Sequence, residues 1–101
     1  MSEKIFLIDD DINFLNAIER QFNTRFNLLT AEDPKQVLEH SFKEDPIAVV
    51  VSDMRMPSMS GMELIARIKK LSPHSVCILL TGFADQEVAI NAINQGSIFR
   101  F

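Results

Sequence analysis

A doubly wound α/β fold on a parallel sheet is what this sequence predicts, and three observations predict it. Ile5-Phe6-Leu7-Ile8, Ile47 to Val51 and Val76-Cys77-Ile78-Leu79-Leu80 are short unbroken apolar runs, the pattern of parallel strands buried on both faces. Segments of helical periodicity alternate with them, as right-handed crossover connections require. Each run also ends on oxygen-bearing side chains: Asp9-Asp10-Asp11, Ser52-Asp53 and Thr81. In open parallel sheets, ligands sit at the carboxyl ends of the strands, where the connections reverse direction. If the three runs are neighbouring strands, at least three carboxylates and one hydroxyl converge on one edge.

The elements follow in order. The first strand covers roughly residues 4 to 8. A helix over about 12 to 24 places Leu15, Ile18 and Phe22 on one face and ends at Asn23-Thr24. About residues 25 to 30 alternate more than the other runs, which suits a less buried edge strand. Asp33 caps the second helix, with Pro34 at its first position and Gln36 completing a reciprocal cap; Val37, Leu38 and Phe42 face inward, and Asp45-Pro46 stops it. Ile47 opens the third strand. Ser60 with Glu63 forms a second capping box, starting a helix whose apolar stripe is Leu64, Ile65, Ile68 and Leu71, up to Ser72-Pro73. A fourth strand spans about 75 to 80. The last helix, about 85 to 95, stops at Gly96, and Ile98-Phe99-Arg100-Phe101 begins a fifth strand.

Composition narrows the classes. With 101 residues, 47% of them hydrophobic, there is material for one core and one domain. Only four apolar residues follow Met1-Ser2-Glu3-Lys4, too few for a signal-peptide core or a membrane span, so a cytoplasmic location is expected. Cys77, alone within an apolar run, reads as packing. A net charge of −4 with scattered Lys and Arg argues against direct nucleic-acid binding.

The acidic cluster carries the chemistry. Two like charges about 4 Å apart repel by roughly 4 kcal/mol at an effective dielectric near 20, so gathered carboxylates call for a counter-charge. Oxygen donors without a nearby His or Cys favour a hard ion, and Mg²⁺ typically takes one or two carboxylates, several waters and a phosphate oxygen. Each group has a plainer reading too. Asp9, Asp10 and Asp11 suit a solvated helix-capping turn. Asp53 suits a turn before Met54-Arg55-Met56-Pro57, and Thr81 an ordinary strand-end hydroxyl.

Taken together, Phe6-Leu7-Ile8-Asp9-Asp10-Asp11, Val51-Ser52-Asp53-Met54-Arg55-Met56-Pro57 with Gly61 and Glu63, and Leu79-Leu80-Thr81-Gly82 resemble the receiver domain of bacterial two-component response regulators, a flavodoxin-like fold. The likeness covers the whole chain in order and spacing, and the Asp53 to Gly61 stretch is its most specific part. The resemblance implies that Asp53 is the phosphoacceptor, and that Asp9, Asp10 and Asp53 hold Mg²⁺ with the Arg55 backbone carbonyl. It makes Thr81 the sensor of the acyl phosphate, Gly82 the small residue beside the phosphoryl group, and Phe101 the switching aromatic. The side chains of Arg55 and Phe83 then flank the route for hydrolytic water. Asp11 reads as a helix cap.

The same resemblance implies a histidine kinase or small acyl phosphate as donor, and a signalling role rather than enzymatic turnover. Receivers carry a lysine at the end of strand five and then a fifth helix; the chain stops at Phe101, about three residues short of that lysine. We therefore expect a receiver domain over residues 1–101 lacking the end of strand five and helix five. Its Ile98, Phe99 and Phe101 would lack their usual cover, predicting homodimerisation through helix four and strand five or by segment exchange. The ending Ile93 to Phe101 resembles receivers fused to cyclic-dinucleotide phosphodiesterases, which hints at such an output domain. Two rival readings differ in class. Ile8-Asp9-Asp10-Asp11 also resembles the start of haloacid-dehalogenase-like phosphatases, with Asp9 as nucleophile, Asp11 as general acid and Asp53 as a loop residue. A pseudo-receiver would keep the fold as a docking module without phosphorylation.

Overall fold

The computed structural model describes residues 3–80. They form β1 (Lys4–Ile8), α1 (Ile12–Phe22), β2 (Asn27–Ala31), α2 (Pro34–Leu38), β3 (Val49–Asp53), α3 (Gly61–Leu71) and β4 (Val76–Leu80). The strands make one sheet in the order β2-β1-β3-β4, and every neighbouring pair is parallel. The connections therefore run to opposite sides of the sheet from β1 and from β3, which opens a crevice at their carboxyl ends. Ile8 is level with Ser52 in the register, so Asp9 and Asp53 come next on adjacent strands.

Period-two alternation divides β1 between two layers. Phe6 and Ile8 join Val50, Cys77 and Leu79 in a buried cluster with Val37 of α2 and Leu64, Ile65 and Ile68 of α3. On the opposite face, α1 buries Leu15. There Ile5, Leu7, Ile18, Phe22, Phe26, Leu28 and Val51 line an open apolar groove of about 200 Å³. Each fully buried Leu or Ile contributes roughly 1.5 to 3 kcal/mol, so the layer under α2 and α3 dominates the stability of the described residues. Burial pushes the Cys77 thiol above its ordinary range, in keeping with a packing role. Among the described residues, no helix is long and apolar enough to cross a membrane.

The caps follow the sequence. Asp33 accepts from the Lys35 N–H (2.9 Å), Gln36 answers at the Asp33 N–H (3.4 Å), and Pro34 takes the first helical position. Ser60 Oγ accepts from the Glu63 N–H (3.2 Å), while the Glu63 carboxylate lies 3.6 Å from Arg67. The Ser60 box therefore forms in its hydroxyl half.

Several boundaries differ from expectation. Helix α2 does not run on towards Asp45; it ends at Leu38, because His40 turns inward between Phe6 and Phe42, edge-on to both rings, and its Nε2 bonds the Asp45 carbonyl oxygen at 2.9 Å. Phe42 is buried as expected, but from a turn. A Lys4–Asp45 ion pair ties that turn to β1. Strand β2 starts at Asn27 rather than near residue 25, since the Arg25 and Phe26 N–H groups still bond the Phe22 carbonyl beyond α1. Strand β3 is displaced by two residues and ends on Asp53, because Ile47, though buried, gives its carbonyl to the Ser75 hydroxyl instead of a neighbouring strand. Leu71 leaves the apolar stripe altogether at 56% exposed, lying at the C-terminal end of α3. The helix expected over about 85 to 95 and the strand expected from Ile98 lie outside the described residues.

Candidate functional site

Asp9 and Asp10 leave β1 and Asp53 ends β3, so the adjacent register brings them to one edge. One carboxylate oxygen from each lies within 4.8 Å of the others. Asp9 and Asp53 are half-buried, while Asp10 is exposed. The turn after β1 is held by the Asp9 N–H on the Ala31 carbonyl (3.1 Å) and by the Asp11 N–H on Asp9 Oδ1 (2.9 Å). Asp11 turns its own carboxylate to the start of α1, accepting from the Asn13 N–H (3.0 Å) and the Phe14 N–H (3.3 Å). It caps that helix, as its position in the sequence suggests. A general-acid role for Asp11 does not suit this arrangement, and Asp53, far from being a loop residue, closes a central strand.

Burial and mutual repulsion both oppose ionisation of the cluster. Burial, and then repulsion from Asp10 and Asp11, pushes the Asp9 carboxyl above the ordinary carboxylate range, against the opposing pull of the Asp11 N–H. Burial also raises Asp53, followed by repulsion from Asp9 and Asp10, while the Met54 and Arg55 N–H groups favour its charged form. Three converging carboxylates with no nitrogen or sulfur donor among them form a donor set that fits a hard divalent ion. An open cleft of about 470 Å³ reaches Asp10 past Glu32, Asp33, Pro57 and Ser58, and its acidic rim disfavours an unaccompanied anion.

The loop that follows Asp53 is tied to the sheet and to α3. Met54 donates its N–H to the Leu80 carbonyl (3.0 Å), and Gly61 donates to the Met54 carbonyl (2.8 Å). Met54 and Met56 insert into the core. Arg55 is exposed at the rim. Sequence reasoning named Ser52 only as the polar end of an apolar run; the structure buries it completely and directs its hydroxyl to the Asp53 carbonyl oxygen at 3.0 Å. A hydroxyl one residue before the acidic position, amid valines, was the available signal. Thr81, Gly82, Phe83 and Phe101 lie outside the described residues.

Comparison with known proteins agrees with this geometry. The family model for the response regulator receiver domain matches residues 5–98. The C4-dicarboxylate transport transcriptional regulatory protein DctD of Pseudomonas aeruginosa is 33% identical over 95 residues, 93% of this chain and 20% of that protein. The DNA-binding transcriptional regulator NtrC of Escherichia coli K12 is 32% identical over 94 residues, 92% of this chain and 20% of that protein. The chain thus spans about a fifth of the length of the curated relatives it matches. Among solved structures, one described as adenylate cyclase from Rhodopirellula baltica superposes with a TM-score of 0.92 at 40% identity, covering all of this chain and 75% of that one. A response regulator receiver domain protein from Clostridium thermocellum gives 0.84 at 38% identity, over 97% of this chain and 79% of its own. Parallel strand order, acidic crevice and sequence relatives lead to one assignment: the chain belongs to the response regulator receiver domain family.

Proposed function

We propose that the chain is the phosphoacceptor switch of a two-component signalling system, phosphorylated on Asp53 by a histidine kinase or phosphotransfer protein in a Mg²⁺-dependent reaction. The observation that carries this reading is the convergence of Asp9, Asp10 and Asp53 at the crevice between β1 and β3. A carboxylate oxygen of Asp53 attacks the phosphorus in line. The bond from phosphorus to the donor nitrogen, or to the acyl oxygen of a small donor, breaks and its electron pair leaves with the donor. Asp53 keeps the phosphoryl group as an acyl phosphate. The Met54 and Arg55 N–H groups favour the charged form of Asp53, the form that attacks. Asp9, Asp10, Asp53 and the Arg55 carbonyl would hold Mg²⁺, which when bound offsets the charge spread over the phosphoryl oxygens.

In this reading Thr81 senses the new oxygens, Gly82 leaves them room, and Phe101 moves inward as the switch. The Arg55 and Phe83 side chains restrict water at the acyl phosphate. The domain acts in the cytoplasm, where its kinase supplies the phosphoryl group, and passes the signal to an output domain or through homodimerisation. Incubation with acetyl phosphate and Mg²⁺, borohydride trapping and peptide mapping test the assignment. The expected adduct sits on Asp53, is abolished by Asp53→Asn and survives Asp11→Asn. A chain that takes no adduct would be a docking module without phosphorylation.

A further inference from the structure

We propose that Ser52 is a positioning residue for Asp53: its buried hydroxyl and the Cα face of Gly61 clamp the Asp53 carbonyl oxygen and so set the direction in which the acceptor carboxylate is presented. The inference rests on the phosphoacceptor reading of Asp53. Ser52 follows Val49, Val50 and Val51 in β3, and lies level with Ile8 on one neighbouring strand and Leu79 on the other. A hydroxyl so enclosed is costly unless bonded, and alanine or cysteine would serve packing as well. Here it donates to the Asp53 carbonyl at 3.0 Å. The same oxygen would lie 2.1 Å from a Cβ on Gly61, so Gly61 closes the space on its other side. At the far end of that peptide the Met54 N–H is bound to the Leu80 carbonyl at 3.0 Å.

The peptide between Asp53 and Met54 is thus gripped at both its oxygen and its N–H. It joins the Asp53 Cα directly, so its plane governs where the Cα–Cβ bond points. In-line attack is sensitive to that direction, since a misplacement of about 1 Å can cost a hundredfold in rate. A hydroxyl that only satisfied itself would leave the transfer rate untouched.

The test compares the wild type with Ser52→Ala and Ser52→Cys, the second of which keeps the volume with a much weaker donor. With Mg²⁺ and acetyl phosphate, the rate at saturating donor should fall about five- to twentyfold in both variants, with the half-saturating donor concentration unchanged. Hydrogen exchange at the Met54 amide should quicken about tenfold, while the core amide of Leu64 keeps its wild-type rate. Folded variants with wild-type transfer rates, or with unchanged Met54 exchange, overturn the proposal. If Ser52→Ala does not fold, Ser52→Cys decides. If the wild type itself takes no phosphoryl group, the phosphoacceptor reading fails separately, and Met54 exchange still reports whether the clamp exists.

Discussion

The Asp53 main-chain oxygen occupies the space that a side chain on Gly61 would need: an ideal Cβ there would lie 2.1 Å from that oxygen and 2.7 Å from Leu79 Cδ1. One contact is backbone and the other is a fully buried core residue. Neither yields cheaply, so Gly61→Ala should cost about 1 to 3 kcal/mol and lower the melting temperature by about 5 °C or more. Thermal unfolding of both proteins is the check, and equal melting temperatures would mean that β3 and α3 do not approach this closely.

Removing one carboxylate should weaken the ion's hold. Asp10→Asn leaves two charged donors and is expected to reduce Mg²⁺ affinity about tenfold, with a similar loss in Asp53→Asn. Titration followed by amide chemical shifts measures both. Wild-type affinity in the two variants would remove these residues from the metal site.

In metal-free protein the same repulsion has a pH signature. Asp9 and Asp53 bind protons more tightly in the native than in the unfolded state, because burial and neighbouring charges raise their native pKa values. Their contribution to stability therefore grows as pH falls through those raised values, and is lost as pH rises through them. At pH near 7, Asp53→Asn should stabilise the metal-free protein by about 1 kcal/mol after solvent screening. The gap should close on acidification, as the wild-type carboxyl takes up its proton in its raised range. Melting curves with chelator at several pH values test this, and a gap that widens on acidification would contradict it.

Asp11 should separate structure from chemistry. Loss of its cap on the Asn13 and Phe14 N–H groups in Asp11→Ala is expected to cost about 1 kcal/mol, seen in denaturant unfolding. The acetyl phosphate adduct should stay on Asp53 at a rate within about twofold of wild type. An adduct that disappears with Asp11 would return the phosphatase reading to contention.

The strands were legible because buried parallel strands are continuous apolar runs, and the site because topology brings successive strand ends together. What pattern alone misses is the partner. Ile47 looks like a strand residue, but its carbonyl is taken by Ser75, whereas Ser52 and Asp53 look like a loop and are paired with β4. Periodicity would carry α2 to Phe42, yet the fit of one imidazole between two phenyl rings ends it sooner. Asp9, Asp10 and Asp53 could be grouped from spacing, while the Ser52 hydrogen bond depends on how β3 terminates, which no hydropathy pattern encodes.

The bond from the Gly61 N–H to the Met54 carbonyl makes residues 54 to 61 a closed ring, with Met54 and Met56 as its plugs in the core. A ring of this kind has a circumference. One residue added or removed would either break the closure or pull a methionine out of its socket, so the distance along the chain from acceptor to glycine is a dimension of the fold and not a habit of sequence.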